Sequence, residues 1–198
     1  STLIGTMSHE LRTPLNAVCG FADLIADSAL GEHASPEYAE FGDHIRKSGK
    51  HLLNIVNDML LAARFQSGTV ETSPKEFLLS DLVEAALDNS KKSQNWTDPE
   101  VIVNVPAEQV HADYELCKKA LEHLIDNASK FSGKNGKIII SYQNGGISVR
   151  DNGPGYKDDD TTTLTELFVQ GDGKRSRSYE GCGLGLFLVQ NIAALHNG

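Results

Sequence analysis

Cysteine is scarce in this sequence and poorly placed for cross-linking. Cys19, Cys117 and Cys182 are odd in number, widely separated and without a C-x-x-C pair. That excludes a disulfide framework and a cysteine-built zinc site, and it fits a reduced, intracellular setting. Basic charge is in deficit as well: 18 Lys and Arg face 27 Asp and Glu, a net −9. The chain therefore has no general footprint for nucleic acid or anionic lipid, and any basic cluster is local. Long apolar runs are missing; none approaches the roughly 20 residues that span a bilayer, and no signal peptide is visible. The chain opens at Ser1, without a methionine and already inside a helical pattern. It reads as a fragment of a cytoplasmic protein, with any membrane anchor expected only in segments outside it.

What is present suits a packed core. Hydrophobic residues make up 39% and charged residues 23% of 198 positions, room for a small helical module and one domain of ordinary size. Ile4, Met7, Leu11, Leu15, Val18, Ala22, Ile25 and Ala29 recur at alternating spacings of three and four, a heptad-like stripe on one long helix. Turn residues from Gly31 to Pro36 interrupt it. A second stripe follows through Ile45, Leu52, Ile55, Met59 and Ala62, ending near Gln66-Ser67-Gly68. A lone hairpin cannot bury both stripes, whereas two hairpins paired as a four-helix bundle can, so a homodimer is expected over residues 1–68.

Residues 69–79 read as a linker, and residues 80–198 as a second domain. There the pattern predicts a helix from Ser80, a plausible cap, to Ser90, a strand over Val101–Val105 and an amphipathic helix from about Asp113 to Phe131. Lys137–Tyr142 and Ile147–Arg150 flank Asn144-Gly145-Gly146 and predict an antiparallel hairpin. Residues 151–180 carry little periodicity and are too long for an ordinary connection, which suggests a functional lid. A last helix is expected after Gly185, to about His196. Helices and strands interleave without a βαβ repeat, so the fold class is α+β: a helical hairpin followed by a two-layer sandwich.

The first candidate site lies on the first helix. His9 is roughly 200° from both Met7 and Leu11 around the helix axis, opposite the buried stripe. Glu10 adjoins it, Thr13 stands one turn away, and Pro14 bends the helix beside it. A lone histidine on a bundle helix is ordinarily just solvated. A neighbouring carboxylate changes its chemistry, because the acid can hold one ring nitrogen protonated and leave the other basic and nucleophilic. Ser-His-Glu-Leu-Arg-Thr-Pro-Leu-Asn, residues 8–16, resembles the phospho-acceptor box of the bacterial two-component sensor histidine kinases along its whole length. The resemblance implies that His9 is phosphorylated on nitrogen, that Glu10 is the general base, and that Thr13 positions water when the enzyme dephosphorylates its response regulator.

The second candidate site is assembled from three segments. His123, Asn127 and Lys130 align at i, i+4 and i+7 on one helix face. An amide oxygen is a good partial ligand for magnesium, and a lysine beyond it can meet a phosphate as a point charge. Asp151-Asn152-Gly153-Pro154-Gly155 offers a carboxylate to an exocyclic amine and glycines for close backbone approach. Gly181-Cys182-Gly183-Leu184-Gly185-Leu186 opens the last helix and leaves backbone N–H groups to face phosphate oxygens. Each is ordinary alone. Together, and in this order, they resemble the Bergerat (GHKL) ATP-binding domain shared by histidine kinases, type II topoisomerases, Hsp90 and MutL. Asn127 to Ser132 matches the asparagine box, residues 151–155 and 181–185 match the glycine boxes, and Leu167-Phe168 falls where the phenylalanine box belongs.

That resemblance implies that Asn127, with His123 beside it, holds magnesium and that Asp151 reads adenine. It implies that Lys130, Gly153, Gly155, Gly181, Gly183, Leu184 and Gly185 line the ATP site. Lys174, Arg175 and Arg177 form the one basic cluster and are expected to touch the γ-phosphate. The implied activity is autophosphorylation of His9 from Mg-ATP, followed by transfer to an aspartate of a response regulator. The competing reading is a phosphotransfer or scaffold protein whose nucleotide domain is degenerate. Two departures stand out. His123 occupies a position where histidine kinases most often carry asparagine and topoisomerase-type ATPases carry a water-activating glutamate, which argues for transfer rather than hydrolysis. The sequence also stops at Gly198, where the family continues into further strands, so the C-terminus is expected to be truncated.

Overall fold

The computed structural model describes residues 15–16, 18–26, 37–93, 96–133, 135–155 and 183–198. The chain divides into two compact units, Ser1–Val70 and Glu71–Gly198. Among the described residues no helix is long and apolar enough to cross a membrane.

The first unit contains α1, helical over residues 18–26, and α2, Glu37–Gln66. The two helices touch through small residues. A Cβ added at Gly42 would stand 2.6 Å from the Ala26 backbone nitrogen, and one at Gly49 would stand 2.8 Å from Cys19 Sγ. Cys19, Ala22 and Ala62 are buried, so Gly and Ala positions let the backbones approach closely. The large apolar side chains turn elsewhere: Phe21 is 66% exposed, Phe41 58% and Leu52 48%. Arg46 lies 3.9 Å from Asp23 across the hairpin and also pairs with Asp43. Lys47 and Arg46 together hold the Asp43 carboxyl below the usual carboxylate range.

The second unit runs β1 (Lys75–Leu78), α3 (Leu79–Lys91), β2 (Glu100–Asn104), β3 (Gln109–Ala112), α4 (Tyr114–Ser132), β4 (Lys137–Gln143), β5 (Gly146–Asp151) and α5 (Gly185–Leu195). β1 and β3 form an antiparallel pair, and β2-β4-β5 form a mixed sheet with β2 parallel and β5 antiparallel to β4. The parallel pairing requires a crossover, which α4 supplies. Leu82, Val83, Ala86 and Leu87 of α3, Leu121, Ile125 and Ala128 of α4, and Ile138 and Ile140 of β4 make one core between the helices and the sheet.

Several expectations need correction. Residues 69–79 are not all linker, because β1 occupies the last part. Its four residues contribute one inward apolar side chain, Phe77, which sits opposite Val110 and edge-on to Tyr114 at 5.1 Å. Neither that strand nor β3 is long enough to show a period. Ser80 does not cap α3: the helix follows Leu78 directly, without a side-chain cap, and the Leu79 N–H donates to the Glu108 carbonyl at 2.9 Å. On α4, Leu121, Ile125 and Ala128 are buried, whereas Cys117, Ala120, Leu124 and Phe131 are partly exposed. The predicted hairpin is present; Asn144 (φ 52°) and Gly145 (φ 80°) have the paired positive angles of a type I′ turn.

Burial pushes the Asp126 carboxyl on α4 upward; the Ser90 hydroxyl opposes this, Glu122 adds to it, and Lys119 opposes it. The folded protein thus binds this proton more tightly than the unfolded chain. The stability it contributes is full below the ordinary carboxylate pKa and is lost as pH rises through the raised value. Asp126→Asn is expected to remove that loss, so its stability relative to the parent should grow as pH rises from about 4 to 7. Urea denaturation across that range checks it, and parallel curves would mean the carboxyl titrates normally.

Candidate nucleotide site

Helix α4 starts on a firm cap, the Asp113 carboxylate accepting the Leu116 N–H at 3.0 Å. It presents its core residues to the sheet and, on an adjacent line, the partly exposed His123, Asn127 and Lys130. Both glycine segments come to rest along that helix.

The first leaves the end of β5. Side chains alternate along a strand, so Asp151 shares a face with Ile147 and Val149, which pack against the core. Its register partner is the fully buried Ile138. Asp151 is therefore a carboxylate on the helix-facing side of the sheet, placed where that sheet ends. Beyond it the chain turns over the C-terminal end of α4. A Cβ at Gly153 would lie 2.7 Å from the Phe131 carbonyl oxygen and 2.6 Å from Asp151 Oδ1, so only hydrogen fits. The Gly153 N–H donates to Asp151 Oδ1 at 2.7 Å, which occupies one carboxylate oxygen and orients the other. Asn152 fastens the segment from its other side: its Oδ1 accepts the Lys137 N–H at 2.8 Å and its amide donates to the Asn135 carbonyl at 3.1 Å. Gly155 adopts φ +69°, the left-handed region that favours glycine.

The second segment enters α5. Gly183 has φ +66°, and Leu184 is buried, its carbonyl accepting the Leu188 N–H at 3.0 Å. Among the described residues no side chain caps α5, and N–H groups in the first turn of a helix suit an anionic acceptor. A Cβ at Gly185 would meet the His123 ring, 3.3 Å from Nδ1. The two glycine contacts are eight residues apart on α4, a separation of about 12 Å along the axis, with Asn127 midway.

The structure thus sets Gly153 and Gly185 against the helix that carries His123, Asn127 and Lys130, with Asp151 at the strand end that leads into the first glycine segment and Leu184 buried at the start of α5. The His123 ring lies against Gly185, and its Nε2 is shielded from solvent. Lys130 extends over the Phe131 ring, 5.3 Å from its centroid. His9, Glu10, Thr13, Lys174, Arg175, Arg177 and Gly181 lie outside the described residues, as do the expected lid residues 156–180. Sequence reasoning missed the structural part played by Asn152 and by the Phe131 carbonyl; the polar side chain between Asp151 and Gly153 was the only hint.

Residues 1–68 match the His Kinase A (phospho-acceptor) domain, and residues 112–198 match the histidine kinase-, DNA gyrase B- and HSP90-like ATPase. The chain belongs to the histidine kinases. Over 98% of its length it is 33% identical to a sensor-like histidine kinase of Rhizobium meliloti, covering 38% of that protein. It is likewise 33% identical over 98% of its length to the autoinducer 2 sensor kinase/phosphatase LuxQ of Vibrio cholerae, covering 24% of it. The crystal structure of full-length ShkA in complex with AMPPNP superposes on 98% of this kinase core and 40% of the ShkA chain, with TM-score 0.73 and 30% identity. The kinase core is thus a helical region followed by an α/β domain of the GHKL ATPase fold, spanning well under half the length of these relatives.

The seat of Gly153 on α4 can be tested directly. Gly153→Ala forces either the Phe131 carbonyl or the strand end to shift, and overpacking of this kind typically costs about 1–3 kcal/mol. Urea denaturation should show that loss; parental stability would mean the segment is not held against α4.

Proposed function

We propose that this kinase core, acting as a homodimer in the cytoplasm, binds Mg-ATP along α4 and transfers the γ-phosphoryl group to His9. A response-regulator aspartate then receives it. The observation that carries the reading is the meeting of both glycine segments on α4 with Asn127 between them. The AMPPNP complex of the ShkA relative supports an adenine nucleotide as ligand.

Asp151 has one oxygen committed to Gly153, and its other oxygen accepts the adenine amine. Gly153 and Gly155 let the backbone pass close to the base. Gly183, Leu184 and Gly185 present backbone N–H groups to the phosphates, while the His123 ring packs against Gly185. Lys130, and in the segment before α5 Gly181, Lys174, Arg175 and Arg177, complete the phosphate contacts. The Asn127 amide on the exposed line of α4 fits a magnesium ligand, since that ion takes few protein oxygens and keeps its waters. When bound, the ion neutralises phosphate charge. In the transfer, a ring nitrogen of His9 forms a bond to Pγ as the bond from Pγ to the β–γ bridging oxygen breaks and ADP departs. Glu10 takes the imidazole proton. Thr13 positions water for hydrolysis of the aspartyl phosphate on the regulator, which releases inorganic phosphate and the free carboxylate; the name of the Vibrio relative also carries a phosphatase. The outward apolar side chains of α1 and α2 support a second hairpin as the covering partner, because exposed patches of this kind mark interaction surfaces.

Incubation with γ-labelled ATP and magnesium should give acid-labile, base-stable label on the protein. His9→Ala should abolish it while leaving nucleotide affinity unchanged; label that survives the substitution would move the acceptor elsewhere. Asp151→Asn can keep the Gly153 contact only by turning its amide donor toward the adenine amine. Losing a charged hydrogen bond costs about 1.5–3 kcal/mol, roughly 10- to 150-fold in Kd. Calorimetry with ATP should register that loss, and an unchanged Kd would remove Asp151 from the adenine site.

A further inference from the structure

His196 closes α5 at the end remote from the glycine turn, and its ring is engaged on every polar atom. Nδ1 donates to the Ile192 carbonyl at 2.8 Å, which fixes Nε2 as an acceptor because a carbonyl cannot donate. Nε2 in turn accepts the Asp113 backbone N–H at 3.1 Å. The Cys117 sulfur lies 3.7 Å from the same nitrogen. Burial, with the Asp113 carboxylate adding to it, pushes the Cys117 thiol up to about 11, so it remains a protonated S–H that can also point at Nε2.

Asp113 is itself a junction. It is buried, and one carboxylate oxygen caps α4 through Leu116 while the other accepts the Ser73 N–H at 2.8 Å. Ser73 lies in 71–74, the first segment of the second unit, just past the division at Val70. A continuous chain of contacts therefore runs from Gly183–Gly185 along α5, through the His196 imidazole to Asp113, and on to the entering segment. α5 is suited to carry a displacement. Its 11 residues form one unbroken helix, with Leu188 and Ile192 buried, and packed helices shift as bodies rather than bend continuously.

We propose that His196 is a positioning residue that couples the second glycine turn to the segment 71–74 through Asp113. When phosphates engage the N-terminal turn of α5, the helix settles, and His196 transmits that settling to the residue that holds both the α4 cap and Ser73. Occupancy of the ATP site then tightens the strip of chain that joins the second unit to the first. This rests on the nucleotide reading of the α5 turn given above.

The test is amide hydrogen exchange of the full chain with and without magnesium and AMPPNP. In the parent, the nucleotide should slow exchange several-fold at residues 183–188 and also at 72–73 and 113–117. In His196→Ala, protection at 183–188 should persist while the slowing at 72–73 is lost. His196→Gln, which keeps an acceptor near the place of Nε2, should restore part of it, an outcome that loss of helix packing alone would not produce. Equal slowing at 72–73 in the parent and His196→Ala would overturn the coupling, as would protection confined to 183–188 in the parent. No protection at 183–188 in the parent would instead overturn the site reading on which the coupling depends.

Discussion

Close approach to one helix is the constraint on which the second unit depends. α4 must pack against a sheet, against α3 and against α5, and still keep a line of side chains for chemistry. It can do so because the two chain segments that complete the site lie against it as bare backbone. At Gly153 the space a Cβ would need is occupied by the Phe131 carbonyl, and at Gly185 it is crowded by the His123 ring. Larger residues would push these segments outward and widen the space over Asn127. The glycines thus act first as spacers that let backbone lie close to the helix.

The first unit uses small residues for a different end. Gly42 and Gly49 bring α2 against α1 so tightly that no large side chain is needed between them. The Phe and Leu side chains that a two-helix core would ordinarily consume are left facing outward. A hairpin built this way has little apolar burial of its own, and the contribution of further partners to its stability is correspondingly large.

Much of this was legible in the residues. The hairpin turn could be read because Asn-Gly has few alternatives to paired positive φ angles, and α4 because its period extends over five turns. β1 and β3 could not: Lys75–Leu78 and Gln109–Ala112 are four-residue strands, the first with only Phe77 and the second with only Val110 and Ala112 turned inward, too short for alternation to stand out. The start of α3 was misread because a serine suggested a cap, whereas a carbonyl 29 residues downstream, that of Glu108, does the work across space. The two glycine segments and the polar line of α4 were legible from their order along the chain, but the packing of the His123 ring against Gly185 was not. Which way an imidazole faces depends on what packs over it, and that neighbour comes from a helix 62 positions later in sequence.

The β4–β5 turn has a consequence for what the protein can tolerate. Asp151 faces the helices only because Asn144-Gly145 sets a two-residue loop, and every pairing from Gln143↔Gly146 to Ile138↔Asp151 follows from it. Side-chain direction reverses with each single step of register. A one-residue insertion at this exposed tip, absorbed by slippage of β5, would leave the sheet hydrogen-bonded yet turn the carboxylate to the opposite surface, with Ile147 and Val149 rotated out of the core. The length of a surface loop thus decides which side of the sheet carries the Asp151 carboxylate, and loop grafts at this tip that keep the strand register should be far better tolerated than point insertions.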